Sequence, residues 1–360
     1  MRGQVQKQTE AFSYIMIEDR VPQKHPLRKV KTIANTLIAE LDPLFDSIYS
    51  SEGRPSIAPE YLLRASILQI LYTIRSERNL MEHIDFNILF RWFVGLGLDA
   101  PVWDHSTFTK NRERFLESEV AHQFFGKVVE HARQKGLLSD DHFTVDGTLI
   151  EAWASMKSFQ PKTPSDSDTD AGSAGKNPEV DFHGEKRTNA THASKTDPDA
   201  RLYKKSAGSA SKLCYMGHVL MENRNGLVVK NTLTHASGTA EREAALLMME
   251  ELGTTRRRTL GGDKGYDADN FVQALRDRNI TPHIAPKKNS IGIDRRTTRH
   301  EGFKTSQRIR KRVEEIFGWA KTVGMIRKVK LRGLKLVTGL FAFNMAVYNL
   351  IRIGNLEVQT

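Results

Sequence analysis

The run His142-Phe143-Thr144-Val145-Asp146-Gly147-Thr148-Leu149-Ile150 is where the chain changes character. Its β-branched and aromatic residues predict a strand. Everything before it follows a helical period. Residues 1–26 are polar with Pro22 and Pro26 and read as a flexible lead-in. Leu27, Val30, Ile33, Ala34, Leu37, Ile38 and Leu41 then recur at the spacing of one helix face. A second helix is expected from about Pro59 to Arg75, with Pro59 in its first turn. A third is expected from Glu77 to Phe93, closing near Gly95 and Gly97. Asp104 or Ser106 can cap a fourth, which carries Lys110, Arg112 and Arg114. That helix reads either as a nucleic-acid contact or as a plain surface helix, and the loop before it is long for a helix-turn-helix. Glu119 to Gly136 is a further helix, so 27–136 form an all-α N-terminal domain, the expected DNA-binding part.

After residue 142 strands and helices alternate. Lys212–Glu222 and Leu227–Thr234 are strand-like runs joined by Asn223-Arg224-Asn225-Gly226, and Asn-Gly is a hairpin signal. Thr239–Leu252 is a helix with Ala240, Ala244, Leu247 and Met248 inward. Arg258–Asp263 is a short strand ending in a turn, Asp269–Arg278 a helix, and Ile280–Ala285 a fifth strand. A basic linker, Lys287–Lys304, leads to a helix, and a last helix starts near Leu336. The expected catalytic part, 137–353, is thus α/β with a five-stranded mixed sheet. Residues 156–212 are rich in Ser, Thr, Asp, Pro, Gly and Lys and read as a polar insertion without a core of its own.

The 360 residues suffice for two or three domains. Lys plus Arg number 54 against 43 Asp plus Glu, a net charge of +11, which points to a polyanion partner, most simply DNA. The single cysteine, Cys214, excludes a disulfide framework and a Cys-based zinc finger. Met1–Glu10 is polar and shows no signal peptide. The apolar run from Leu334 to Ile353 is broken by Lys335, Asn344, Asn349 and Arg352, so it reads as a buried helix and not a membrane span.

The chemistry is carried by carboxylates. Asp146 lies within the first strand and Asp263 at the end of the fourth. If those strands are parallel neighbours, both project at one sheet edge. The helix Arg308–Lys321 presents a core stripe of Ile309, Val313, Ile316, Phe317 and Ala320. Arg310, Glu314 and Lys321 fall beside that stripe, within ~40° of one another at ~100° per residue. Alone, this helix reads equally as a solvated face with one ion pair. Together the three placements make Asp146, Asp263 and Glu314 a candidate cluster, with Asp104, Asp267 and Glu315 as competitors. Like charges that close need compensation. Hard oxygen donors favour Mg²⁺ or Mn²⁺, and a metal pair ~3.5–4 Å apart supports in-line phosphoryl transfer. Arg310, Lys321 and the run Arg327, Lys328, Lys330 and Arg332 are candidate phosphate contacts, with Lys110 and Arg112 from the N-terminal part.

These residues resemble a bacterial insertion-sequence DDE transposase of the insertion-sequence-5 family, over nearly the whole chain. The resemblance rests on Phe90-Arg91-Trp92-Phe93-Val94-Gly95-Leu96, Asp104-His105-Ser106-Thr107-Phe108 and Val145-Asp146-Gly147-Thr148. It also rests on Thr196-Asp197-Pro198-Asp199-Ala200-Arg201 and Gly262-Asp263-Lys264-Gly265-Tyr266. The family's last motif spaces Tyr, Arg, Glu and Lys. Arg310, Glu314 and Lys321 match it, while Gln307 stands at the tyrosine position. The resemblance implies a ribonuclease-H-like catalytic domain, metal-dependent cleavage at the element's terminal inverted repeats, and strand transfer into target DNA. It also implies a homodimer on DNA in the bacterial cytoplasm. Two other readings stay open at this point: a transposase-derived DNA-binding protein without catalysis, and a ribonuclease-H-like nuclease without strand transfer.

Overall fold

The computed structural model describes residues 14, 16–49, 52, 56–162, 187–204, 208–253, 256–290 and 292–357. Helices α1 (Ile17–Arg20), α2 (Pro26–Ala39), α3 (Asp42–Ile48), α4 (Pro59–Leu71), α5 (Glu77–Phe86), α6 (Ile88–Val94), α7 (His105–Glu117) and α8 (Val120–Gln134) come first. The apolar stripe of α2 is buried as its spacing requires. The helix expected over 77–93 is two. Asn87 leaves the helical region (φ −101°, ψ 112°), and its Oδ1 accepts the Leu89 N–H at 2.9 Å, so it ends α5 and caps α6. Helix α4 stops short of Arg75 because Thr73 turns left-handed (φ 54°).

The remainder comprises β1 (His142–Ala152), β2 (Phe159–Pro161), β3 (His192–Ser194), β4 (Arg201–Tyr203), β5 (Lys212–Glu222), β6 (Val228–His235) and α9 (Ala240–Glu250). Then follow β7 (Arg258–Gly262), α10 (Asp269–Asp277), β8 (Ile280–Ile284), α11 (Arg295–Thr298), α12 (Glu301–Ile309), α13 (Arg312–Thr322), β9 (Lys328–Val329) and α14 (Leu334–Leu356). The main strands lie in the order β6-β5-β1-β7-β8. β1, β5 and β6 run antiparallel, while β7 and β8 run parallel to β1. Three antiparallel strands, then two parallel ones reached through helices, make a ribonuclease-H-like fold.

Both faces of this sheet are covered, with opposite parity along β1. Phe143 and Val145 pack with residues of α9 and α10, including Ala244, Met248 and Phe271. Ile150 and Ala152 share a core with Val313 and Ile316 of α13 and Phe341 of α14. That second core continues without a break into the buried residues of α2, α4 and α8, so the helical part is packed onto the sheet part through α14. By length and composition α14 could cross a membrane, but it is mostly buried within the fold and serves as a core helix.

Three local expectations are corrected. In α9 the inward residues are Ala240, Ala244, Ala245, Met248 and Met249, and Leu247 is half exposed on the other side. The helix expected through 308–321 is broken. Val313 N–H bonds Arg310 O and Glu314 N–H bonds Lys311 O, both 3.1 Å, a tightened three-residue turn between α12 and α13. The cause is two anchors on different strands: α12 packs on β7 and β8, α13 on β1 and α14. The polar stretch 156–212 also contains structure. β2 pairs β3, with Phe159 buried against His192, and β4 extends the edge of β5. Asp197 is buried there. It accepts the Tyr215 hydroxyl at 2.6 Å and the Gly333 N–H at 3.2 Å, while Asp199 accepts the Leu334 N–H at 2.9 Å. Tertiary hydrogen bonds to the start of α14 thus order a segment whose composition offers little core. The expectation for 163–186 and 205–207 lies outside the described residues.

Candidate active site and nucleic-acid interface

β7 pairs β1 only through Thr144↔Gly261, and β9 rejoins the same edge at Glu151↔Lys328. Between them the edge of β1 is open. Asp146 stands at the start of this gap. Carrying the β1–β7 register two residues further sets Asp263 opposite Asp146. Each aspartate is oriented by its own motif: Asp146 Oδ1 accepts the Gly147 N–H at 2.8 Å, and Asp263 Oδ1 the Gly265 N–H at 2.7 Å. Both are half-buried. Period two along β1 puts Asp146 on the face of Ile150 and Ala152, which α13 covers.

Glu314 lies exposed in the first turn of α13. Its neighbour Glu315 is exposed in the same turn. Burial raises the Tyr348 phenol pKa, and the nearby Glu315 charge adds to that rise. The other competitors have structural work. Asp104 caps α7 through the Ser106 N–H at 2.8 Å. Asp267 is buried and holds the linker, accepting from Lys287 N at 2.6 Å and Ser290 Oγ at 2.9 Å. Gln307 donates to the His283 carbonyl and so ties α12 to β8. No group of three or more His, Cys, Asp or Glu side chains stands close enough to hold a metal together among the described residues. The gap therefore offers two adjacent aspartates, with Glu314 on the helix over the same face.

The cations gather elsewhere. Arg112, Lys321, Arg327, Lys328 and Lys330 line one cavity of about 740 Å³ between α4, α5 and α7 on one side and α13 and β9 on the other. Its floor is apolar and includes Phe115, Leu116, Leu340 and Phe343. Trp153 lies half exposed at its rim, with Lys328 Nζ 5.1 Å and Lys330 Nζ 5.9 Å from the ring centre. Arg112 is held by Glu77 at 2.6 Å, so part of its charge is answered within the protein. Lys110 is exposed on another side of α7, Arg332 is exposed beyond the cavity, and neither lines it. Arg310 is half-buried in the turn before α13, with its Nε unpartnered. It no longer shares one regular helix with Glu314, because the tightened turn intervenes. Trp153 is seven residues beyond Asp146, roughly 20 Å at ~3.3 Å per strand residue, so cavity and carboxylates are separate ends of one surface.

The sequence reading did not single out Trp153 or Glu241. Trp153 follows a strand and carried no motif. Glu241 opens a helix whose acidic first turn reads as ordinary dipole chemistry.

A ribonuclease-H-like sheet, an open strand edge near Asp146 and Asp263, and a cavity lined by cations fit a protein that acts on nucleic acid. Residues 15–114 match a family model described as a transposase domain, and residues 180–350 match the transposase DDE domain. The chain belongs to the DDE transposases, a family that catalyses metal-dependent DNA cleavage and strand transfer. No curated protein matches it. Among solved structures it is similar to the piggyBac transposase synaptic complex with hairpin DNA, at 8% identity and TM-score 0.44, over 93% of this chain and 76% of that one. It is also similar to a pre-cleavage Mos1 transpososome, at 11% identity and TM-score 0.21, over 86% and 81%.

Proposed function

We propose that the chain, within the insertion-sequence-5 family, cuts DNA at its element's terminal inverted repeats and joins the ends to target DNA. It acts as a homodimer on DNA in the bacterial cytoplasm, with Mg²⁺ or Mn²⁺ held by Asp146, Asp263 and Glu314. The observation that supports this reading is that the parallel β1–β7 register ends at Thr144↔Gly261, with Asp146 and Asp263 each two residues beyond it, where β1 has an open edge. The donors are hard oxygens, which fits these cations. A divalent cation bound there supplies an activated water or 3′-hydroxyl and stabilises the leaving oxygen. The protein's part is orientation: the Gly147 and Gly265 amides fix the two aspartates, and Glu314 is proposed to join them from the first turn of α13.

The cavity takes duplex away from the cut. At roughly 20 Å from Asp146 it faces phosphates about six base pairs from the reacting bond, at 3.4 Å per step along each strand. Lys321→Ala is therefore expected to weaken binding of an end substrate while leaving the melting temperature unchanged, since the side chain is only half-buried. Affinity for that substrate should fall with salt at a logarithmic slope of ~0.9 per phosphate contact. Removing Lys328 and Lys330 together should lower that slope by ~2 by the same rule. An unchanged slope would remove the cavity from the DNA path. A supercoiled plasmid carrying the terminal repeats, incubated with Mg²⁺, tests the reaction itself. Joined products support the proposal, hydrolysis alone supports a nuclease, and no reaction supports a binding protein.

A further inference from the structure

Two glycines follow the paired aspartates in sequence, and both leave room for one side chain from another helix. A Cβ on Gly147 would lie 2.7 Å from Glu241 Oε1 and 2.9 Å from its Cγ. A Cβ on Gly265 would lie 2.9 Å from Asp263 Oδ1 and 3.8 Å from Glu241 Oε2. The Glu241 carboxylate is thus seated between the two acidic motifs, and a side chain at position 147 would have to displace it. The seat is rigid on the helix side. Glu241 is in the first turn of α9, held by Ala240, Ala244, Ala245 and Met248 in the core. It approaches the open edge of β1 from the α9 face, while α13 covers the other.

A charge at the start of a helix has an ordinary explanation in the helix dipole. Tyr266 argues for more. Its ring packs 3.3 Å from the place of a Gly262 Cβ and 5.6 Å from the Phe271 ring centre. Its hydroxyl is fully buried and has no hydrogen-bond partner. A buried tyrosine hydroxyl ordinarily finds a partner. An orphan one, three residues after Asp263, leaves a polar group to be completed by something other than protein.

We propose that Glu241 is an outer carboxylate of the cation site at Asp146 and Asp263, a positioning residue that adds negative charge and accepts a hydrogen bond from the cation's water. This rests on the metal-site reading above. The outer role is assigned because Asp146, Asp263 and Glu314 are the direct ligands in the reading above, and Glu241 reaches the gap from the α9 side, past Gly147. It also accounts for Gly147, whose missing Cβ keeps the path from Glu241 to the gap open.

The test is Mn²⁺ binding by the full chain without DNA, followed by the electron paramagnetic resonance signal of free Mn²⁺. Glu241→Gln keeps the side chain's shape and is expected to weaken Mn²⁺ binding by about tenfold, the lower end for an outer-shell group. Gly147→Ala, which pushes the carboxylate aside, should do the same. The double variant should be little worse than either, because both changes remove one interaction. Asp146→Asn is the reference. If it leaves Mn²⁺ binding unchanged, the metal-site reading itself fails. If it weakens binding while Glu241→Gln does not, Glu241 is only a helix-terminal charge and the proposal is overturned. Circular dichroism of each variant separates loss of the site from loss of the fold.

Discussion

Glu314→Gln is expected to bind a transposon-end substrate as tightly as the unaltered chain, or more tightly, while cleavage falls by about a thousandfold or more, ~4 kcal/mol of barrier. The side chain is exposed in the first turn of α13, so the amide is tolerated and folding stability should move by no more than about 0.5 kcal/mol. What changes is one negative charge and one oxygen donor in the first turn of α13, the helix that packs on β1. Loss of the charge lowers repulsion of the DNA phosphates; loss of the donor removes the proposed third metal ligand. Glu315→Gln is the internal control, because Glu315 is exposed beside it in the same turn and is outside the proposed metal site, and it should cleave normally. Binding and cleavage are measured on the same end substrate for both variants. Near-normal cleavage by Glu314→Gln would make α13 a structural helix and sink the mechanism.

That Asp146 lies in a strand and Asp263 just beyond the end of its parallel neighbour was legible, because β-branched strand runs and acidic turns are local signals. The Asn225-Gly226 hairpin was legible for the same reason, with Gly226 at φ 71°. What escaped is set by distant partners. The break between α12 and α13 arises because one helix answers to β8 and the next to β1, and a helical wheel drawn on 308–321 has no knowledge of either. The order around Asp197 depends on Tyr215 and Gly333, 18 and 136 residues away. Glu241 was hidden because its meaning lies in two glycines that make room for it. Five of the cavity's six cations, all but Arg75, were named from the sequence, but their separation from the carboxylates follows from the length of β1, which their spacing in sequence does not reveal.

Gly339→Ala is expected to destabilise the protein by about 1–3 kcal/mol or more, whereas Gly354→Ala in the same helix should be neutral or stabilising by up to about 1 kcal/mol. Both glycines are buried in α14, and in both alanine is the better helix former. They differ in what a Cβ would meet. At 339 it would lie 2.1 Å from the Leu116 carbonyl oxygen and 2.9 Å from its carbon, main-chain atoms at the end of α7 that cannot rotate away. At 354 the nearest atom is Lys29 Cβ at 3.7 Å, an ordinary contact. Alanine at 339 must therefore drive α14 and α7 apart. Helix α14 is also fixed to the sheet, with Asn349 bonding the Val228 N–H at 2.9 Å and C=O at 2.8 Å, so the strain falls on the helical part. Leu116, Leu340 and Phe343 floor the basic cavity, and Phe343 packs on Phe115 and Phe124 with ring centres 5.2 and 5.7 Å apart. The same substitution should thus loosen DNA binding as well as lower the urea midpoint, while Gly354→Ala changes neither for the worse. Equal stability of the two variants would mean that α7 and α14 are not in close contact, and the cavity between the helical part and the sheet would lose its fixed floor.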